Sequence, residues 1–569
     1  MNRNVESHFA NLPQVDIQRS VFDKSHRHLT TFNAGDLIPI YWEEILPGDT
    51  VSLTSSKVVR LQTLLTPIFD NVYLDTYFFF VPNRLLWTHW KEFCGENNQS
   101  AWLPEVQYTL PKIAFHTKVK PGHVADYLGC PTDKQISPNV SCLPFRAYNQ
   151  ICNDFFRSDV LTDPLNLIHG DANINYTDAT EHGGVPFKVA RYHDYFSSAL
   201  PSPQRGEAVQ IGTSSIPVSI PPKSLPVVPL AGNDGFVPDK YFHRDFDVSQ
   251  PYTQTFTKGS VNERYGRLYQ DPFAESVHSR NVITYENGYT PGTLEPIHLA
   301  NLHAVVTEPI PVTMANVNDL RMAFAIQKFL ERDARAGGGR YPEYLKSHYG
   351  VISPDASLQR PQYLGGNRIA LNVRQVANQS QADNAFLGDL GAMSHTQDVH
   401  HDFMHSFTEH GILMGVCCVR YDHTYSQGLY RGFLRDTLYD FYDPLFASLG
   451  EMPIRMHEIY ASAPNIAVEQ NYVFGYQEAW AEYRYSNNRV SSEMRTGIDG
   501  SLDSWHLADY YAELPHLSDG WIRESKSNID RVLSVTSQNA NQILADFYFD
   551  AKFTRPMPMY SIPGLIDHH

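Results

Sequence analysis

The chain has 569 residues, of which 42% are hydrophobic and 19% are charged; this excludes a disordered protein and allows several domains or one domain with large insertions. Its formal net charge of −17 means that any contact with a polyanion must come from a locally basic face. Six cysteines without a Cys-x-x-Cys pair, and the lack of a long apolar run, exclude a disulfide framework and a membrane span.

The first part of the chain contains two predicted strands and a short predicted helix. Residues 32–46 and 71–81 are rich in branched and aromatic side chains, which fit a pleated strand. In 71–81 apolar residues alternate with polar and tyrosine residues, which predicts two chemically different faces. Residues 148–159 predict a short amphipathic helix.

Residues 213–300 differ from the rest of the chain in their proline content. Six prolines lie between Pro217 and Pro238, where they block helices and central strands and favour extended segments. We expect an insertion that projects from the main body, with a long linker between two domains as the alternative. The residues assigned to this protrusion are Pro217, Pro221, Pro222, Pro226, Pro229 and Phe236.

A long helix is predicted over residues 317–336. Its apolar residues form a broad stripe, Arg332 and Arg335 lie near its end, and Gly337 follows. Cationic side chains in the last turn and glycine after it are typical of a helix C-terminus.

Three further strands are predicted over residues 410–423, 471–485 and 542–553. In the first, Cys417 and Cys418 lie in an apolar run and are expected to behave as small buried side chains. The last strand alternates most clearly. Its shared apolar face consists of Ile543, Ala545, Phe547, Phe549, Ala551 and Phe553.

Strands at both ends of the chain imply long-range pairing in one β-domain, and a two-layer sandwich of about eight strands fits. Such a sandwich uses few residues, so most of the chain must lie in long connections. These are rich in aromatic residues and proline, which favours ordered loops that contact neighbouring molecules over disorder.

Five histidines lie within "HTQDVHHDFMHSFTEH". Histidine binds metals and titrates near neutral pH, but the His-Glu-x-x-His pattern is absent and a strand would spread these side chains over both faces. We therefore favour packing or interface roles over a metal site and expect no cofactor. A pH-sensitive role remains as a hypothesis for His395, His400, His401, His405 and His410.

Two regions are locally basic. Nine Lys and Arg residues between Arg321 and Arg374 accompany only four acidic residues, and a smaller group lies around Arg19 and Arg27. Internal ion pairs, such as Glu331 with Arg335 one helical turn on, are the favoured interpretation for the helix. For the N-terminal group, a polyanion or subunit contact is as well supported as internal ion pairing.

Four segments together resemble one known family. They are "ARYHDYFSSALPSPQRG" (190–206), residues 318–366, "HDFMHSFTEHGILMGV" (401–416) and "FGYQEAWAEYRY" (474–485). They look like the major capsid protein of microviruses, with the gokushovirus branch as the nearest match. The resemblance extends from "VPNRLLWTHWKEF" (81–93) to the C-terminal strand.

The resemblance implies a mainly β fold, an eight-stranded antiparallel jelly-roll β-barrel with very long inter-strand loops, a few helices and one large insertion. Residues 1–212 would form the first part of the jelly roll with an N-terminal arm. Residues 213–300 would form the insertion, a protrusion at the threefold axes, and 301–569 the remaining helices and strands.

The resemblance also implies a structural protein, not an enzyme, that assembles through pentamers into a T=1 shell of sixty copies around a circular single-stranded DNA genome. Further implied partners are an internal scaffolding protein, a small basic DNA-packaging peptide, a minor pilot protein and a host surface receptor, with a glycan as one candidate. The protein would be assembled in the bacterial host cytoplasm and reside in the virion. Candidates for its DNA-facing inner surface are Arg3, Arg19, Lys24, Arg27, Arg321, Arg332 and Arg335.

Two other readings remain open at this point. Jelly-roll modules also bind carbohydrates through exposed aromatic residues, so a free carbohydrate-binding protein is the alternative function. A metal-dependent enzyme is the third.

Overall fold

The computed structural model describes residues 18–96, 108–206, 209, 317–336, 339–379, 387–388, 390–462 and 473–560, and the backbone of five short strands between 227 and 304. The chain divides into two compact units. One comprises Met1–Ala208 and Ile326–His569, and the other is Val209–Ala325. The predicted insertion lies within the second unit, and its role as a surface protrusion stays a prediction.

Eight long strands form the body of the first unit. They are β1 (His26–Phe32), β2 (Asp36–Ile45), β3 (Thr50–Leu61), β4 (Val72–Pro82), β5 (Gln362–Ala370), β6 (Thr396–Ser406), β7 (Gly411–Tyr421) and β8 (Ile543–Arg555). The first sheet has the order β1-β8-β3-β6 and the second has the order β5-β4-β7-β2, with every pairing antiparallel. Two four-stranded antiparallel sheets with this crossing connectivity are a jelly roll, which confirms the predicted fold class.

Shorter elements lie in the connections. The remaining strands of the first unit are Ser20–Asp23, Lys112–Ala114, Val140–Ser141, Ile174–Asn175, Phe187–Lys188, Val373–Ala377, Leu390–Ser394, Glu451–Arg455 and Val473–Glu478. In the second unit Val227–Pro229 pairs with Leu302–Ala304, and Thr253–Phe256, Tyr265–Tyr269 and Asn281–Tyr285 form a three-stranded sheet. The helices are Asn83–Leu86, Trp90–Phe93, Val124–Tyr127, α1 (Leu143–Ile151), α2 (Val317–Arg335), Tyr341–Tyr344, Met456–Ile459, Asp519–Ile522 and Ser527–Val532.

The two sheets pack face to face through apolar side chains from both. In β8, buried residues alternate with exposed or half-buried ones, as the sequence predicts for a strand with one solvent-exposed face. The six residues predicted to share its apolar face are all in this core: Ile543, Ala545, Phe547, Phe549, Ala551 and Phe553.

The second sheet is covered on both faces. From β7, Leu413 and Val419 enter the core between the sheets, whereas Met414 and Cys418 enter a second core. That second core is built by the long connection that follows β4 and contains α1. A strand buried on both sides must be apolar without interruption, which is why β7 lacks the alternation of β8. Cys417 and Cys418 are fully buried, as predicted.

Two predicted elements have different limits in the structure. The strand predicted over 471–485 ends at Glu478, because Trp480 adopts a left-handed conformation with φ 65° and a single helical turn follows. The indole of Trp480 donates to the Phe446 carbonyl at 3.2 Å, a contact with a residue distant in the chain. The helix predicted over 148–159 is α1, which begins earlier and continues as a wider turn over Cys152–Phe156. The long predicted helix is confirmed as α2.

The alternation along β8 predicts unequal effects of two neighbouring substitutions. Phe549→Ala empties a fully buried site that packs against Tyr41 and Phe547, so the free energy of unfolding should fall by about 3–5 kcal/mol. Tyr548→Ala, at a side chain that is 47% exposed, is the matched control and should cost much less. Denaturant unfolding of the disassembled chain measures both, and equal losses would contradict the assigned faces.

Candidate assembly and genome-binding surfaces

The N-terminal basic group lies on and just before β1, at an edge of the first sheet. Two of its cations form ion pairs with acidic side chains. Lys24 forms an ion pair with Glu43. Arg27 Nε donates to Asp546 Oδ1 at 2.6 Å, and this hydrogen bond lowers the pKa of Asp546. Arg19 is exposed. Arg3 lies outside the described residues.

The basic residues of α2 likewise include one that is bound to an acid and one that is exposed. Arg335 Nε donates to Glu451 Oε1 at 3.0 Å and its Nη1 to the Ser198 carbonyl at 2.9 Å. The predicted internal ion pair therefore exists, but with Glu451 as the acid, because Glu331 instead accepts from Gln327 at 2.8 Å. Arg332 is exposed.

Two groups of predicted residues lie in or near the second unit. Arg321 lies on the part of α2 that belongs to it. Of the protrusion residues, Pro229 ends the strand Val227–Pro229 and pairs with Leu302. The others lie outside the described residues: Pro217, Pro221, Pro222, Pro226 and Phe236.

The clustered histidines have separate partners. His400 Nδ1 lies 3.1 Å from Asp402 Oδ1, and His401 Nδ1 lies 3.1 Å from Thr54 Oγ1. His405 packs on the Phe407 ring, and burial lowers its pKa.

The two outer histidines of the cluster contact other residues. The ring of His410 packs against Trp90, and the backbone N–H of His395 donates to the Asn372 carbonyl at 3.2 Å. Within the described part of the chain, no group of three His, Cys, Asp or Glu side chains could hold a metal ion. The structure therefore does not bring the five histidines together at one site.

A cleft of about 1220 Å³ opens beside β1. Its cations are Arg27, Arg60, Lys188 and Lys526, and its acids are Asp36, Asp126 and Asp546. Lys188 is paired with Asp36 at 2.5 Å and Arg27 with Asp546. This near-balance of charge does not favour the binding of a polyanion in the cleft.

The segment Leu429–Leu449, which we call the apolar loop, exposes nine large hydrophobic side chains. Phe433 is 80% exposed, Leu438 81% and Leu445 85%. Large apolar patches are rare on soluble monomers and commonly mark interaction sites, so this loop is a candidate interaction surface.

Buried ion pairs hold the backbone of the apolar loop. Arg431 lies 3.3 Å from Glu458, and Arg435 lies 3.3 Å from Glu482. Both carboxylates are almost fully buried, and burial raises the pKa of Glu458 even though Arg431 opposes this effect. The loop is thus a fixed surface whose apolar side chains point outward.

A buried charge cluster joins the end of β7 to the connection that follows β4 and to two distant points of the connection that follows β7. Arg191 Nη1 donates to Asp509 Oδ2 at 2.7 Å. His423 lies between two acids, with Nδ1 3.0 Å from Asp509 Oδ2 and Nε2 3.1 Å from Glu524 Oε1. Arg191 also stacks over the Trp521 ring at 4.7 Å.

The two carboxylates set the charge of His423. Burial alone would lower its pKa, but Asp509 and Glu524 outweigh that effect and raise the pKa to about 9. The sequence gives a weak signal for this cluster, because its members are far apart in the chain. The adjacent pair His193–Asp194 has an exposed histidine and an aspartate that accepts a hydrogen bond from Tyr425.

Comparison with known proteins agrees with this architecture. The family model described as capsid protein (F protein) matches residues 10–565. The chain belongs to this phage capsid protein family. It is 35% identical to capsid protein VP1 of Chlamydia phage 1, over 99% of this chain and 98% of that protein. It is 37% identical to VP1 of Bdellovibrio phage phiMH2K, over 99% and 98%, and 34% identical to VP1 of Spiroplasma virus 4, over 96% of each.

The family confirms the predicted relationship to microvirus major capsid proteins of the gokushovirus type. This capsid protein is a structural component of a virion and assembles with copies of itself into a shell. The alternative of a free carbohydrate-binding protein is thereby set aside. No helix in the described ranges is long and apolar enough to cross a membrane.

The charge cluster predicts a loss of stability at alkaline pH. The pKa of His423 is about 9 in the folded chain and about 6.5 in an unfolded one. Its contribution is therefore complete below about pH 6.5 and is lost as the pH rises through about 9, on the order of 3 kcal/mol.

The test is the free energy of unfolding from about pH 6 to about pH 10. The fall should be smaller in His423→Gln, whereas His401→Gln, at an exposed histidine, should follow the unmodified chain. Parallel curves for all three proteins would show that His423 does not carry the effect.

Proposed function

We propose that sixty copies of this capsid protein, arranged through pentamers, form a T=1 icosahedral shell around a circular single-stranded DNA genome. The observation that carries the proposal is the apolar loop, a fixed outward-facing apolar surface on the first unit. A closed shell needs contacts between different patches of neighbouring copies. Each contact can be modest, because many act together when the shell closes.

A neighbouring copy is the occupant that this surface fits. Its side chains are mainly Leu, Phe and Tyr, which bury large areas at interfaces. The ion pairs that fix the loop lie beneath it, so little ordering of the backbone would be needed when two copies meet. Pre-ordered contact surfaces favour association for that reason.

Charge placed on the apolar loop should stop assembly without unfolding the chain. In Leu438→Asp with Leu445→Asp, two exposed side chains acquire charges that an apolar contact would have to desolvate. We expect the yield of closed particles, measured by sedimentation and electron microscopy, to fall at least about tenfold, for a loss of about 1.4 kcal/mol per contact.

The matched control keeps the side chains apolar. Leu438→Met with Leu445→Met should assemble normally, and the melting temperature of the aspartate variant should match that of the control before assembly. Normal particle yield from a folded aspartate variant would remove the apolar loop from the assembly contacts.

For the genome, we propose that basic side chains of the N-terminal region and α2 bind DNA phosphates without sequence preference. The candidates remain Arg3, Arg19, Lys24, Arg27, Arg321, Arg332 and Arg335. Arg19 and Arg332 are the best supported, because both are exposed. Lys24, Arg27 and Arg335 are bound to carboxylates, which would have to be displaced or shared.

Charge reversal at Arg19 and Arg332 tests whether the exposed arginines, rather than the cations already bound to carboxylates, hold DNA. If Arg19 and Arg332 each neutralise one phosphate, Arg19→Glu with Arg332→Glu should make the negative slope of log affinity against log salt shallower by about 1.4 for single-stranded DNA. Fluorescence anisotropy with a labelled oligonucleotide measures the slope. The control Arg19→Lys with Arg332→Lys keeps both charges, and an unchanged slope in the glutamate variant would exclude both residues.

Further proposals concern the second unit and the remaining partners. We propose that residues 213–300 form a threefold protrusion that contributes to host attachment, with a surface glycan as a candidate receptor. The internal scaffolding protein, the small basic DNA-packaging peptide and the minor pilot protein remain proposed partners, with assembly in the bacterial host cytoplasm. The family membership supports these proposals.

The histidines His395, His400, His401, His405 and His410 remain a proposed pH-sensitive region. His405 is the best candidate, because burial already disfavours its charged form, so protonation would require local rearrangement.

A further inference from the structure

Lys57 is a lysine inside the jelly roll. It lies on β3 between residues that face the apolar core, and its side chain has no exposed surface. Lysine is almost never fully buried unless its amine is bound. Its surroundings therefore require a chemical explanation.

Three polar side chains from three other strands surround the Lys57 amine. Its Nζ donates to Asn367 Oδ1 and, at 3.0 Å, to Thr76 Oγ1. Asn367 lies on β5 and Thr76 on β4, both in the sheet opposite β3. Asp398, on β6, accepts from Asn367 Nδ2 at 2.8 Å and lies 3.8 Å from Lys57 Nζ.

We propose that Lys57 and Asn367 form an intramolecular isopeptide bond, with Asp398 as the catalytic proton-transfer group. The arrangement contains what the reaction needs: an amine against a carboxamide carbonyl, a hydroxyl at the same oxygen, and a carboxylate at the leaving nitrogen. The bond would join the two sheets covalently through residues that are 310 positions apart (367 minus 57).

The reaction balances without an oxidant or a cofactor. The Nζ lone pair of the neutral lysine attacks Asn367 Cγ, and the C=O electrons move to Oδ1. Thr76 Oγ1 lies 2.9 Å from Oδ1 and donates to it, which stabilises the developing negative charge. Asp398 takes a proton from Nζ and delivers it to Nδ2. The Cγ–Nδ2 bond then breaks and ammonia leaves, so that an amide and ammonia replace an amine and a carboxamide.

The local environment also favours the reactive form of the lysine. Burial lowers the pKa of Lys57, although the charges of Asp402 and Asp398 oppose this effect. A desolvated lysine with a lowered pKa is a competent nucleophile.

A non-covalent buried ion pair is the competing interpretation. Asp402 has no exposed side-chain surface, and together with Asp398 it could balance a charged Lys57. The two interpretations differ in covalent mass. The ion pair leaves the mass of the chain unchanged, whereas the isopeptide bond lowers it by one molecule of ammonia.

Intact mass spectrometry of the denatured full chain from purified particles tests the proposal. We expect a mass lower than the sequence mass by one ammonia. Tryptic digestion should give a branched peptide that joins residues 28–60 to residues 347–368, because a bonded Lys57 is not cleaved and Arg360 precedes proline. Asparagine cyclisation causes the same mass loss but gives no branched peptide. The full sequence mass, or separate peptides, would overturn the proposal.

Asp398→Asn tests the assigned catalytic group and keeps the side-chain size. Its mass should show no loss of ammonia, while Asp550→Asn on β8 should still lose it. Lys57→Met should also give the full sequence mass, with no branched peptide. If Asp398→Asn retains the branched peptide, the role of Asp398 is wrong, although the bond itself would stand. The absence of the branched peptide from the unmodified chain overturns the bond whether or not the variants fold.

Discussion

The structure of the first unit depends on the burial of β7 between two apolar cores. One set of its side chains packs against the first sheet, and the other packs under the connection that follows β4. This connection covers the second sheet. The outward face of the first sheet is therefore the solvent-exposed face of the sandwich, as the alternation in β8 shows. A change in side-chain volume in β7 is therefore transmitted to two cores at once, since both are close-packed.

Charge, and not only apolar packing, fixes the long connections to this body. The cluster around His423 holds the connections that follow β4 and β7 at the end of β7, and buried glutamates hold the apolar loop from below. Buried ion pairs add little net stability compared with apolar residues packed at the same site, but the loss of one partner's charge is costly because the other remains buried without compensation. They therefore select one loop geometry from several, which is what a surface that must match its neighbours requires.

The sequence predicted the parts of the fold that depend on local pattern. The alternation of β8, the apolar run of β7 and the periodicity of α2 each follow from one stretch of chain. The end of the strand before Trp480 and the Glu451 partner of Arg335 did not follow, because distant residues determine both. The environment of Lys57 was likewise hidden: nothing in its neighbouring residues indicates that Asn367 and Asp398 meet it.

The polar centre of the jelly roll has to be reconciled with a fold that otherwise excludes water. An apolar side chain of similar length at Lys57 would avoid the cost of desolvating an amine, and such replacements are often neutral or stabilising. Stability alone therefore does not account for a lysine at this position. Its contacts reach across from β3 to the opposite sheet, so they fix the register of the two sheets, whether through hydrogen bonds or a covalent bond. The loop contacts proposed for the shell would depend on that register, because a shift between the sheets would displace every loop they carry.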